Sequence, residues 1–178
     1  MDKPVNKQNE RPRHARPPKP PRPRLFGRHP LTLGALALLG LSGYELWIRL
    51  DDFWAWTAGV RHLSAVHGTS FLKDMAIIFE EPRMQRLAFQ MGFLIAAVVF
   101  AAVSIIRRRR AGGWWVMAAL ALALGAAGYS LSLYGFGGWI QLIKLAPLGM
   151  IAVGFTGNGA QGYVLKRREK RKKLSPPE

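Results

Sequence analysis

The segment LAFQMGFLIAAVVFAAVSII, residues 87–106, is the clearest indication of the fold, because it runs for twenty residues without a charged side chain and is followed by four arginines. Twenty helical residues at about 1.5 Å each cover the ~30 Å hydrocarbon core of a bilayer. Membrane-spanning strands are about half as long and alternate strictly between apolar and polar residues, and this stretch does not alternate. We therefore interpret residues 87–106 as a transmembrane helix.

Three other apolar runs of similar length flank this one, at residues 31–50, 113–133 and 139–160. Only helices and closed barrels satisfy their backbone hydrogen bonds inside a bilayer, and these runs are too long for barrel strands. The sequence thus predicts an all-α integral membrane protein. Its membrane domain, residues 31–162, contains four transmembrane helices.

The basic residues are segregated from the apolar runs. The formal net charge is +16, although 49% of the residues are hydrophobic. Residues 1–30 contribute nine basic and two acidic side chains, residues 107–110 four arginines, and residues 163–178 seven basic and two acidic side chains. These segments account for the whole net charge, and four spans would put all three on one side. Since basic loops stay in the cytoplasm, we predict a multi-pass protein of the cytoplasmic membrane with both termini cytoplasmic.

The two tails are predicted to be cytoplasmic and unstructured. Residues 1–30 hold eight of the twelve prolines together with nine like charges, a composition that is typical of disorder. Residues 163–178 form a basic C-terminal tail, and we expect residues 1–28 and 170–178 to lack structure. Few aromatic residues lie nearby to stack on bases, and the rest of the chain is very apolar, which argues against nucleic acid as a partner.

Basic side chains next to the spans are instead expected to contact anionic lipid headgroups at the cytoplasmic face, at about 1 kcal/mol each. The residues concerned are Arg107, Arg108, Arg109, Arg110, Lys166, Arg167 and Arg168.

The segment between the first two spans, residues 51–86, is predicted to lie outside. Apolar side chains recur at helical spacing in two parts of it, which indicates one or two short amphipathic helices on the outer leaflet. Gly68 is placed to end the first of these helices, and Pro82 to begin the helix that becomes the second span. The recurring side chains are Phe53, Trp56, Val60 and Leu63, then Phe71, Met75, Ile78 and Phe79.

Glu45 and Lys144 are the ionisable residues clearly within the apolar runs. Glu45 lies five residues before the predicted outer end of span one, and Lys144 five residues after the outer start of span four. Each is therefore about 8 Å deep. The matched depth suggests an ion pair, although both side chains could instead snorkel to the interface, or serve transport. Pro147 is predicted to kink span four beside this site.

Several chemistries are missing. The chain has no cysteine, which excludes disulfides, iron–sulfur clusters and thiol nucleophiles. His62 and His67 are five residues apart, a weak signal for a metal site. No histidine lies in any predicted span, and spans two to four contain no carboxylate that could relay protons. We therefore predict no catalytic, cofactor-binding or metal-binding residues.

Small residues recur every four positions in the predicted spans, most regularly at Ala119, Ala123 and Ala127. Such faces allow helices to approach closely, either within one bundle or against another protein. The leading hypothesis is a non-enzymatic accessory or scaffolding subunit of a membrane complex, whose partners are lipids and other membrane protein subunits. The alternatives are a small transporter or channel that uses Glu45 and Lys144, and a lipid-acting enzyme with His62 or His67 as its base.

Overall fold

The structure is a computed structural model that describes residues 27–135 and 137–174. These residues form helices and connecting turns, with no strand among them. The helices are α1 (Arg28–His67), α2 (Phe71–Phe79), α3 (Pro82–Arg107), α4 (Trp114–Leu133), α5 (Gly138–Ile143) and α6 (Leu145–Leu174). In the described part of the chain, α1, α3, α4 and the α5–α6 segment are long and apolar enough to cross a membrane. The prediction is confirmed to this extent: the described residues are helical, and four of the helical segments are long and apolar enough to span a membrane.

Helix α1 is about twice as long as the predicted first span, because nothing between residues 50 and 67 stops it. Proline is absent from this stretch, and an Arg49–Asp52 ion pair at 3.6 Å bridges one turn. The helix ends at Gly68, which adopts the left-handed conformation (φ 64°) that glycine tolerates best. The segment predicted as an outer loop, residues 51–86, therefore consists of the second half of α1, all of α2 and the start of α3. Pro82 occupies the first turn of α3, as its position in the sequence indicated.

At both tails, a helix extends into residues that were expected to lack structure. Helix α1 begins at Arg28, inside the segment expected to be disordered, and α6 continues to Leu174. The prediction that residues 170–178 lack structure is therefore wrong for 170–174. Lysine and arginine are good helix formers, and cations are favourable near a helix C-terminus, so the basic run prolongs the helix. Residues 1–26 and 175–178, which carry the rest of these predictions, lie outside the described residues.

Helices α1 and α6 form the centre of the bundle. Helix α1 packs along α3 on one side and along α6 on the other, while α4 packs mainly on α6 and touches α3 only lightly. The core contains side chains from all four long helices, among them Leu38, Phe100, Met117 and Phe155. Because lipid offers no hydrophobic drive for association, close fit has to hold these helices together.

Glycine supplies that close fit between α1 and α6. A Cβ atom added to Gly154 would lie 2.6 Å from Cβ and 2.9 Å from Cα of Leu31, so the helix backbones touch there. The Trp114 ring similarly lies against Gly159, where an added Cβ would be 2.2 Å from the ring. These contacts fix the position of α1 and α4 on α6, and hence the position of the groups farther along the same helices.

Helical structure in the fourth span is interrupted at Lys144, which separates α5 from α6. Pro147 lies three residues later and has no N–H to donate to the carbonyl of Ile143, four residues before it. The chain stays close to helical geometry through the break, since Lys144 has φ −70° and ψ −15°. The interruption coincides with the one ionisable residue predicted inside this span.

Candidate functional site

The structure brings Glu45 and Lys144 into contact, where they are joined by two amide side chains. Glu45 comes from α1, Gln90 from α3 and Gln141 from α5, and Lys144 follows α5 directly. All four side chains are buried, and Gln141 and Lys144 have no exposed surface. We call these four residues the polar cluster.

Hydrogen bonds within the polar cluster converge on the Glu45 carboxylate. Its Oε1 accepts from Nε2 of Gln90 at 2.7 Å and from Nε2 of Gln141 at 3.1 Å, and its Oε2 accepts from Nζ of Lys144. Nζ of Lys144 also donates to Oε1 of Gln141 at 2.9 Å. Each charge therefore has one opposite charge and at least one amide as partners, which is what burial of an ion pair requires.

Aromatic and small residues complete the surroundings of the ammonium group. Nζ of Lys144 lies 5.8 Å from the centre of the Phe93 ring, within the range of a cation–π contact. The same ring lies against Gly128 of α4, where an added Cβ would be 3.0 Å from Cζ of the ring. Helix α4 thus contacts the polar cluster through Phe93, so all four long helices meet around one buried ion pair.

The cluster is suited to holding helices in register. Its charges cancel, and a buried charge that loses its partner is costly to keep inside a membrane span. Separation of α1 from the α5–α6 segment would leave both buried charges without their partner, and loss of α3 would remove one amide from the carboxylate.

Gln90 and Gln141 were not predicted as site residues. Candidates within the apolar runs were chosen by their charge, and the amide side chains of glutamines carry none. Gln90 is the fourth residue of the predicted run 87–106, and Gln141 the third residue of 139–160, so both lie near the same ends of their spans as Glu45 and Lys144. A search for all strong hydrogen-bonding side chains at matched depth would have found them.

The predicted lipid-contacting residues gather at the opposite end of the bundle. Nδ2 of Asn158 in α6 donates to the carbonyl of Arg108 at 3.4 Å, and Gly162 lies close to Ala111. Gly27, at the start of α1, lies against Gly154 and Asn158. The basic residues that follow α3, those in the C-terminal part of α6 and the start of α1 therefore share one end. Lys166, Arg167, Arg168, Arg109 and Arg110 are exposed there, and Arg107 and Arg108 are half-buried.

A second set of polar residues lies where α1 turns into α2. Ser64 donates to Oδ2 of Asp74 at 2.6 Å, and the hydroxyl of Thr69 donates to the same oxygen. These hydrogen bonds, the Ser64 bond foremost, lower the pKa of Asp74 below its usual value, with smaller contributions from the charges of His67 and Lys73. Asp74 and His67 both line a mainly apolar cavity of about 300 Å³.

The enzyme hypothesis requires a histidine and a carboxylate at one cavity, and His67 and Asp74 meet that requirement in part. The Asp74 carboxylate, however, accepts hydrogen bonds from two hydroxyl groups that favour its ionised form, so its role is to stabilise the turn between α1 and α2. His62 is exposed on α1. No group of three or more possible metal ligands occurs within residues 27–135 and 137–174.

Comparisons with protein families, curated proteins and solved structures find no match to this chain.

Proposed function

We propose that this chain is a non-enzymatic accessory or scaffolding subunit of a membrane complex, one that offers the outer face of α4 to a transmembrane helix of another protein. The main support is the distribution of small residues around α4. Ala121 and Gly128 are buried inside the bundle, whereas Ala119, Ala123 and Ala127 are all exposed. The exposed alanines lie on the side of α4 that faces away from α6.

The chemistry of that face supports a helix as the partner. Alanines spaced by four residues form a shallow groove along α4, and such grooves let two helix backbones approach within a bilayer. Of the candidate spans in the described residues, α4 is buried least by the rest of the chain. An exposed face of small residues, on the helix that the rest of the chain buries least, is a suitable contact surface for another subunit.

Co-purification of the full chain from its native membrane tests this proposal. Ala123→Phe should abolish stoichiometric recovery of the partner and leave the thermal stability of the chain unchanged, because residue 123 is exposed. Leu122→Phe is the matched control, since residue 122 is also exposed but lies about 100° around the helix. Equal recovery of the partner with both variants would contradict the proposal.

We also propose the orientation that the charges indicate, with the basic end of the bundle in the cytoplasm. Support comes from the arrangement of the start of α1, the residues after α3 and the end of α6 around one end. Single cysteines test it, because the chain contains none of its own. A cysteine at His62 should react with an impermeant maleimide in intact cells, and one at Lys170 only after permeabilisation. The reverse pattern would overturn the orientation.

The polar cluster supports a second candidate, a small transporter or channel, because buried ionisable residues in membrane spans commonly mark substrate paths. Such a protein needs water or substrate to reach Glu45. A cysteine at Ser42, one turn from Glu45 and fully buried, would then react with a small permeant thiol reagent. Protection of this cysteine in the folded chain would favour the scaffolding function.

A further inference from the structure

The basic end of the bundle, where the residues after α3 meet the C-terminal part of α6, contains a cavity that has no part in the proposed scaffolding function. It has a volume of about 280 Å³ and lies between the α3–α4 turn and the C-terminal half of α6. Its lining combines three kinds of group: small residues of the turn and of α6, aromatic rings, and one lysine.

Positive charge lies in the lining of this cavity and next to it. Lys166 of α6 lines it directly. Nη1 of Arg107, at the end of α3, lies 3.6 Å from the position that a Cβ of Gly113 would take, so a guanidinium group adjoins the turn. Arg167 and Arg168 line a neighbouring cleft of about 200 Å³, and Tyr163 is shared by both spaces. No acidic side chain is part of either lining.

The floor and the rim of the cavity differ in polarity. Trp114 is pressed onto Gly159 and Ala111 onto Gly162, so the floor is apolar and closely packed. Trp115 and Tyr163 are 65% and 68% exposed, and they stand where the apolar span of α4 begins. Amphipathic rings at the end of a membrane span lie at the level of the lipid headgroups.

We propose that this cavity, which we call the inner pocket, binds the phosphate headgroup of an anionic phospholipid. Lys166 and Arg107 would neutralise the phosphate, the apolar floor would receive the glycerol region, and the acyl chains would leave between Trp115 and Tyr163 into the bilayer. A lipid is favoured over free phosphate because the pocket opens beside the span and combines cations with apolar surface. This inference depends on the chain being a membrane protein, and it is independent of any partner at α4.

The experiment uses the purified full chain in neutral detergent and counts bound lipid by native mass spectrometry. Dioctanoyl phosphatidylglycerol is the probe, and dioctanoyl phosphatidylcholine is the zwitterionic comparison. Wild type should retain one phosphatidylglycerol in preference to phosphatidylcholine. Lys166→Gln and Arg107→Gln should each weaken retention about fivefold, the effect expected for one cation at a lipid phosphate. Lys170→Gln removes the same charge from an exposed residue of α6 that lines neither space and is not among the predicted lipid contacts, and it should change retention less than twofold.

Gly112 allows shape to be tested separately from charge. An added Cβ at Gly112 would meet no atom within 4 Å, yet the residue lines the pocket. Gly112→Leu should therefore fill the space, keep every basic residue and reduce phosphatidylglycerol retention at least as much as Lys166→Gln. Gly112→Ala, a smaller intrusion, should have an intermediate effect, and it serves as the second variant if Gly112→Leu lowers folded yield.

Three results would overturn the proposal. If Lys170→Gln weakens retention as much as Lys166→Gln, the lipid is held by diffuse charge and no pocket is involved. If Gly112→Leu and Gly112→Ala both leave retention unchanged, the cavity is not the binding site. If millimolar inorganic phosphate displaces the lipid completely, the site recognises free phosphate. Because no partner protein is present in this assay, its outcome is independent of the test at Ala123.

Discussion

The Glu45 carboxylate and the Lys144 ammonium lie in direct contact although 99 positions separate them along the chain. Glu45 belongs to the first long helix, and Lys144 to the break in the last one. The contact therefore ties the two helices that form the centre of the bundle, and the amides of Gln90 and Gln141 bring α3 and α5 to the same point.

Removing one charge of this pair should destabilise the protein more than removing both. Glu45→Gln leaves a buried ammonium and Lys144→Gln a buried carboxylate, each at a cost of about 3–5 kcal/mol. The double variant retains no unpaired charge, so its free energy of unfolding should be closer to that of wild type than either single variant. Reversible unfolding in mixed micelles, followed by circular dichroism, measures all three.

Asp52→Asn provides the control for that cycle. Asp52 pairs with Arg49 at the helix surface with its side chain 58% exposed, and exposed pairs contribute less than about 1 kcal/mol. Purely additive effects of Glu45→Gln and Lys144→Gln would show that the contact carries no coupling energy.

The two amides should differ in importance. Gln141 donates to Glu45 and accepts from Lys144, whereas Gln90 donates to Glu45 alone among the cluster residues. Each hydrogen bond lost at a buried charged group costs about 1–3 kcal/mol. We therefore expect Gln141→Leu to lower the free energy of unfolding more than Gln90→Leu. Gln85→Leu, at an exposed position on the same helix as Gln90, should have little effect; equal losses at all three positions would reject this ranking.

Depth along the spans was enough to single out Glu45 and Lys144 from the sequence, because charges in apolar runs are few. It could not show that α1 and α6 are neighbours. That arrangement depends on the contact of Gly154 with Leu31, and a glycine in a sequence does not reveal which side chain fills its place. The length of α1 was also hidden, since the apolar run ends near Leu50 while the helix continues until the left-handed Gly68.

The α1–α6 contact at Gly154 should tolerate no added side chain. In Gly154→Ala the new Cβ would lie 2.6 Å from Cβ of Leu31, and both helix backbones would have to move apart. Overpacking of this kind costs about 1–3 kcal/mol. Gly149→Ala is the matched control on the same helix, because its added Cβ meets nothing within 4 Å. It should be neutral or stabilising by up to ~1 kcal/mol, the usual gain of alanine over glycine. A similar melting temperature for the two variants would contradict the packing described.

The turn between α1 and α2 should open in acid because of Asp74. Hydrogen bonds from Ser64 and Thr69 hold the pKa of Asp74 below the ordinary carboxyl value of about 3.9. A lowered pKa in the folded state means that the ionised carboxylate stabilises the turn at neutral pH. This contribution is lost as the pH falls below about 4 and through the folded pKa. Hydrogen–deuterium exchange of the α2 amides should therefore accelerate in that window relative to the α3 amides.

Asp74→Asn cannot titrate at this position, while the carboxyl groups of Asp51, Asp52, Glu80 and Glu81 remain. Comparing the two proteins at each pH isolates the effect of Asp74 from the intrinsic exchange rate. The difference in protection between them should be largest at neutral pH and should vanish in acid. A difference that stays constant from pH 7 to pH 3 would show that ionisation of Asp74 does not hold the turn.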